Sequence, residues 1–152
     1  MNNFGEVGRS RGGWRDEVVT PRRQAQRDRL NEISGAVVAA AIEVHRGLGP
    51  GLLESIYQKA LAIELRAAGY FVETEVIVEA EWRGQSLDAA FRADLIVERC
   101  LLIELKAVNE VTALFKSQVR TYLKLLDFRL GLLINFNSIR LIDGLERIPN
   151  QF

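Results

Sequence analysis

A chain of 152 residues, 48% of them hydrophobic and 26% charged, can bury one real core, so a single globular domain is expected. Twenty Lys and Arg balance twenty Asp and Glu, so no global electrostatic argument favours nucleic acid or a membrane. One cysteine, Cys100, rules out an internal disulfide and a cysteine-based zinc site, and its apolar neighbours make it a small core side chain rather than a nucleophile.

The charge is uneven along the chain. Residues 1–29 carry seven Arg against four acids, and the remainder carries thirteen bases against sixteen acids. Gly-rich and without apolar periodicity, residues 1–28 read as a disordered or loosely attached tail, with residues 29–152 as the domain. The alternative for this tail is a nucleic-acid-binding arm, against which its mixed charge counts. No targeting sequence is visible, and the longest apolar run, "SGAVVAAAI", is far short of a membrane span. A cytoplasmic, reducing setting is the expectation.

Order is expected to begin near Leu30. Ile33, Val37, Ala41 and Val44 recur at helical spacing until Gly47, and "GLGPG" makes a rigid turn. A second helix runs from Leu52 to about Ala68, stopped by Gly69. The period then changes. "FVETEVIVEAEW" alternates as a strand with one solvated face, "RGQS" turns, and "LDAAFRADLIVE" is a second strand. "CLLIELKA" is a third, antiparallel to the second and, from its apolar density, central. Asn109 to Asp127 returns to helical spacing, with Phe115, Val119, Tyr122, Leu123 and Leu126 on one face. Lys116, Arg120 and Lys124 form the other. "RLGLLINF" is a buried strand and "SIRLIDG" a short final one. The order α-α-β-β-β-α-β-β predicts an α/β fold, a small mixed sheet with helices on both sides.

The third strand raises a chemical question. Alternate residues of a strand share a face, so Glu104 and Lys106 point the same way from a segment that is otherwise apolar. An unpaired charge buried there is costly, so each needs compensation. One answer is a mutual ion pair at a sheet edge. The other is a site in which Asp94, from the preceding strand, joins Glu104 around a hard divalent cation, with water and a phosphate completing the octahedron. Lys106 would then orient water or offset charge developing on phosphate.

Asp94 followed by "ELK" (Glu104 to Lys106) at the end of a hairpin, with a helix after it, resembles the PD-(D/E)xK nuclease superfamily. "VHRGLGPGLLESIYQKAL" contains Gly51, Glu54 and Tyr57 at the spacing from which the GxxExxY proteins take their name. The likeness spans about Leu30 to Ile148 and includes "FRADLIVE", "LLIELKA", "SQVRTYLKLL" and "GLLINFNS". Ala93 stands where the superfamily's name has proline. The resemblance implies a restriction-endonuclease-like core with Asp94 and Glu104 as ligands of Mg²⁺ or Mn²⁺ and Lys106 as the catalytic lysine. It adds Glu54 as a further acid and metal ligand, and Gln118 as an accessory polar residue of the site.

Other residues have plainer readings beside the functional ones. His45 is expected to stabilise its turn by a hydrogen bond, with a catalytic base as the minority reading. "GLGPG" follows a helix rather than a strand, which argues against a phosphate loop. Tyr57 is either a phenol bonding a site group or a core aromatic. Asp88 shares strand parity with Asp94 but flanks a turn. Lys116, Arg120 and Lys124 make a basic stripe, either a solvated face or, with Arg92, a hold on backbone phosphates.

Two functions follow. One is a Mg²⁺-dependent phosphodiesterase acting on nucleic acid, DNA before RNA because the superfamily leans that way. The other is a binding or regulatory module that keeps the nuclease fold without turnover. A homodimer is compatible with both.

Overall fold

The computed structural model describes residues 19–150. The first helix, α1, spans Pro21–Leu48, starting well before the expected Leu30. Thr20 Oγ1 accepts from the Arg23 N–H at 3.3 Å, and Pro21 fills the first helical position. Residues 21–29 are exposed throughout, so no apolar periodicity marks them in the sequence. The tail expected over residues 1–28 is therefore helical from Pro21 onward. Its part before Val19 lies outside the described residues.

The second helix, α2, covers Glu54–Ala67, and the strands β1 and β2 cover Val72–Trp82 and Gln85–Val97. Strand β3 is Leu101–Lys106, helix α3 Ala113–Leu126 and strand β4 Leu130–Asn135. The chain ends with a 3-10 turn, Leu141–Gly144, and strand β5, Leu145–Pro149. The expected element order holds, but the last strand is displaced. "SIRLIDG" forms a bend and the 3-10 turn, which buries Leu141, and the strand follows at "LERIP". Gly144 is what makes that connection tight: a Cβ there would collide with Ser138 Oγ and the Asn135 carbonyl.

The sheet runs β1-β2-β3-β4-β5, antiparallel except for the β3–β4 pair, with β3 in the centre. Parallel neighbours need a crossover, and α3 provides it. Period-2 alternation divides β3 between two cores. Leu101, Ile103 and Leu105 pack with Val37, Val44, Tyr57 and Leu61 of α1 and α2. Leu102 packs with Val119, Tyr122 and Leu123 of α3. A Cβ at Gly131 of β4 would lie 2.9 Å from Val119 Cγ1, so the glycine lets α3 approach closely.

The β1–β2 ribbon changes face partway. Val72, Leu95 and Val97 belong to the α1/α2 core, whereas Val78 and Ala93 belong to the α3 core. The reversal falls at Glu75, whose φ of 52° breaks the alternation, and Asp94 lies opposite it in the register. Parity therefore does not carry from Asp94 to Asp88, which has its own φ of 52° and is solvent-exposed. Among the described residues no helix is long and apolar enough to cross a membrane.

Candidate active site

The antiparallel register Leu95↔Ile103 sets Asp94 across from Glu104. The Asp94 N–H donates to Glu104 Oε1 at 3.3 Å, and the Leu105 N–H donates to Asp94 Oδ2 at 2.8 Å. Glu104 is 4% exposed. Burial and the facing Asp94 charge push its carboxyl up to about 8, with Lys106 working weakly against them. Asp94 is also raised, chiefly by burial and further by Glu54, although the Leu105 N–H opposes this. The two carboxyls form a pair that shares a proton near neutrality.

Lys106 is not the partner that satisfies Glu104. No ion pair within 4.0 Å joins them among the described residues. The Lys106 ammonium lies instead over the Phe115 ring, 4.4 Å from its centroid, within electrostatic reach of both carboxylates. The mutual-ion-pair reading therefore gives way to a buried and a half-buried acid facing each other, with Lys106 acting on both only through space.

Glu54 opens α2 and reaches over the end of β3, where its Oε1 accepts from the Ala107 N–H at 3.4 Å. It is close enough for its charge to raise Asp94. Among the described residues, however, no three His, Cys, Asp or Glu side chains gather tightly enough to hold a metal ion. Tyr57, one turn further along α2, holds the turn that leads into Glu54. Its phenol donates to the Gly49 carbonyl and accepts from the Leu52 N–H at 3.1 Å. Its ring stacks on Phe136, with centroids 4.4 Å apart. Gly49 and Gly51, at φ 70° and 95°, permit the turn that this phenol clamps. The His45 carbonyl accepts from the Gly49 N–H at 2.8 Å, but its ring does not bond within that turn. Its Nε2 bonds the Ser138 carbonyl at 2.7 Å, tying α1 to the loop after β4.

Asn135, buried beside Lys106 in the parallel register, anchors the other rim. Its Oδ1 accepts from the Val108 N–H at 3.1 Å, and its Nδ2 donates to the Val108 carbonyl at 2.8 Å. Burial raises the Tyr122 phenol first, and the Glu104 and Asp94 charges raise it further. From α3, Gln118 lies close enough to Tyr122 to draw its phenol down slightly. Tyr122 therefore belongs to the site's surroundings, although the sequence shows it as one more residue of an apolar helix face. A residue four positions from a polar neighbour on that face, here Gln118, was the available signal.

The basic residues fare differently. Arg92 faces Glu75 at 3.8 Å, and Lys116 pairs with Glu146 at 3.1 Å. Arg120 and Lys124 are exposed along α3.

A mixed sheet between helical layers, with a buried and a half-buried acid and a lysine near the carboxyl end of its central strand, defines an α/β domain built around a polar site. The chain belongs to the PD-(D/E)XK nuclease superfamily, whose family model matches residues 31–148. Among solved structures, the crystal structure of SSO0001 is similar, with a TM-score of 0.50 and 25% sequence identity. The match covers 64% of this chain and half (50%) of the length of SSO0001. No curated protein matches the chain.

Proposed function

We propose that the protein is a metal-dependent nuclease of the GxxExxY group that hydrolyses phosphodiester bonds in nucleic acid, with DNA the favoured substrate. The observation that carries this reading is the Asp94–Glu104 pair: a buried carboxyl and a half-buried one set against each other, both raised, with no ion pair to Lys106 within 4.0 Å. That donor set fits Mg²⁺ or Mn²⁺, which take hard oxygen ligands and commonly use one or two carboxylates plus substrate phosphate. Nucleases of this superfamily typically use divalent metals, and bound here such an ion would polarise a phosphate oxygen and acidify a water.

The chain's own groups do the rest. Asp94 and Glu104 give up their shared proton and present oxygens; Lys106, steadied on Phe115, orients the attacking water or offsets charge on the phosphate. Glu54, aimed by the Tyr57 clamp, supplies a third acid at the edge of the site. Gln118 is an accessory polar residue on the α3 side, beside Tyr122. Arg120 and Lys124 are the exposed candidates for backbone phosphates, with Arg92 and Lys116 weakened by their acid partners.

Purified protein with Mg²⁺ or Mn²⁺ is expected to nick plasmid or degrade single strands, and Glu104→Ala or Lys106→Ala to abolish it. Activity that survives both substitutions sinks the reading. The acid partners of Arg92 and Lys116 favour the second reading, a silent binding or regulatory module, and calorimetry without Mg²⁺ or Mn²⁺ binding would select it. A homodimer suits either. It would avoid the sheet edges, since β1 carries Glu73, Glu75, Glu79 and Glu81 and β5 ends in Pro149.

A further inference from the structure

Glu104 and Lys106 occupy successive same-face positions of β3, about 7 Å apart along a strand, a gap that a lysine side chain can close. Yet no ion pair within 4.0 Å joins them among the described residues. The ammonium lies over the Phe115 ring instead, 4.4 Å from its centroid. Arg83 over Trp82 at 5.5 Å and Arg99 over Phe71 at 5.1 Å make contacts of the same kind. Those two rings are 65% and 47% exposed, whereas Lys106 and Phe115 are both half-buried. A cation over a ring gains most where water is partly excluded, so the Lys106 contact is the one able to compete with a carboxylate.

The ring is held from several sides. Phe115 lies in the first turn of α3, and its N–H donates to Thr112 Oγ1 at 3.4 Å. The adjacent Lys116 is tied to Glu146 of β5 at 3.1 Å. The ring itself packs on the core that contains Leu102, Val119 and Leu133.

We propose that Phe115 is a positioning residue, whose ring face seats the Lys106 ammonium and keeps it off the Asp94–Glu104 pair, so that the carboxylate oxygens stay open to a divalent cation. The inference rests on the metal-dependent reading above. Without the ring the nearby acids draw the ammonium in. A lysine lying on Glu104 then occupies the lone pairs that Mg²⁺ or Mn²⁺ needs. Leucine at position 115 fills much of the same space but presents no negative face to a cation.

The test uses the full chain and reads the seat and its consequence separately. In the metal-free protein the Lys106 εCH₂ protons, assigned in a ¹H–¹³C spectrum through Lys106→Met, lie upfield because they stand in the ring current of Phe115. Phe115→Leu returns them to the position of a solvated lysine, and Phe115→Tyr, which keeps the ring, leaves them upfield. By calorimetry, Phe115→Leu binds Mn²⁺ about tenfold more weakly than the unmutated chain, and Phe115→Tyr binds it equally. In a Lys106→Met background the Phe115→Leu change costs no affinity, because no ammonium remains to fall on Glu104. Absence of the upfield shift in the unmutated chain overturns the seat. Unchanged Mn²⁺ affinity in Phe115→Leu overturns the proposal, and so does an equal loss in the Lys106→Met background, which would make Phe115 a packing residue alone. An upfield shift lost in Phe115→Leu, in a protein that binds no Mn²⁺, upholds the seat and overturns the metal-dependent reading instead.

Discussion

The two faces of β3 are made by the same six residues and have opposite chemistry. Toward α1 and α2 the strand presents Leu101, Ile103 and Leu105, all fully buried among aliphatic and aromatic neighbours. Toward α3 it presents Leu102, then Glu104 and Lys106. The first face lowers the free energy of the fold by removing apolar surface from water. The second holds a carboxyl at 4% exposure whose ionisation the fold opposes. One strand therefore anchors the domain with its odd positions and carries the site with its even ones, and substitutions on the two faces should fail in different ways.

The largest effect is expected on the anchoring face. Ile103→Ala leaves a cavity in a core packed from both helices and should cost about 2–5 kcal/mol, a fall of roughly 5–15 °C in melting temperature. Activity per folded molecule should change little, because Ile103 points away from the carboxylates. A specific activity that collapses at a temperature where the variant is still folded would remove the distinction between the faces.

Glu104→Gln should do the reverse: lower cleavage by about 10²–10³, while leaving the metal-free protein as stable or more so near pH 8. The pH dependence follows from linkage. The Glu104 carboxyl is raised from 4.5 to about 8 in the folded chain, so within that window the native state keeps a proton the unfolded state has released. Stability of the metal-free protein should therefore fall as pH rises from 5 to 8, at up to about 1.4 kcal/mol per unit. Glu104→Gln should flatten that slope, and adding Mg²⁺ to the unmutated protein should release protons into weak buffer. Thermal melts across this window that are flat before the substitution would contradict the shared-proton pair.

Gly131→Ala tests the α3 face from below the site. Its Cβ would meet Val119 Cγ1 at 2.9 Å, so α3 must shift or the side chain rotate, at about 1–3 kcal/mol. Because α3 carries Phe115, Gln118 and Tyr122, a shift should also lower activity several-fold, unlike Ile103→Ala. Equal loss of activity in the two variants would mean that α3 does not position the site.

Much of this division is legible in the sequence because it rests on short periods. "LLIELKA" places its charges two apart, and Asp94 is one hairpin upstream, so antiparallel pairing brings them together without further information. What stayed hidden depended on contacts across the fold. The first turns of α1 bury no apolar side chain, so only Thr20 and Pro21 announced them. The last strand slipped because "SIRLIDG" has strand-like spacing, while Gly144, by closing against Ser138 and Asn135, sets a 3-10 turn. The reversal at Glu75 needs a left-handed glutamate that no period reveals. Tyr122 looked like core because its ring is core; the charges above it belong to another strand.

The smallest effect expected is that of one oxygen atom. Tyr57→Phe keeps the ring that stacks on Phe136 at 4.4 Å, so the α1/α2 core should repack little. It removes the donor to the Gly49 carbonyl and the acceptor for the Leu52 N–H, which together clamp the turn leading into Glu54. The loss of stability should be about 1–2 kcal/mol, mostly from backbone groups left without a partner. Cleavage should fall several-fold if the clamp aims Glu54, because a looser turn spreads the carboxylate over more positions near Ala107. The two effects can be separated by adding Glu54→Gln. If the clamp acts through Glu54, the double variant should be no slower than Glu54→Gln alone while still melting lower. If the losses of activity multiply, the phenol acts on the site by another route, and Glu54 is held in place by the helix alone.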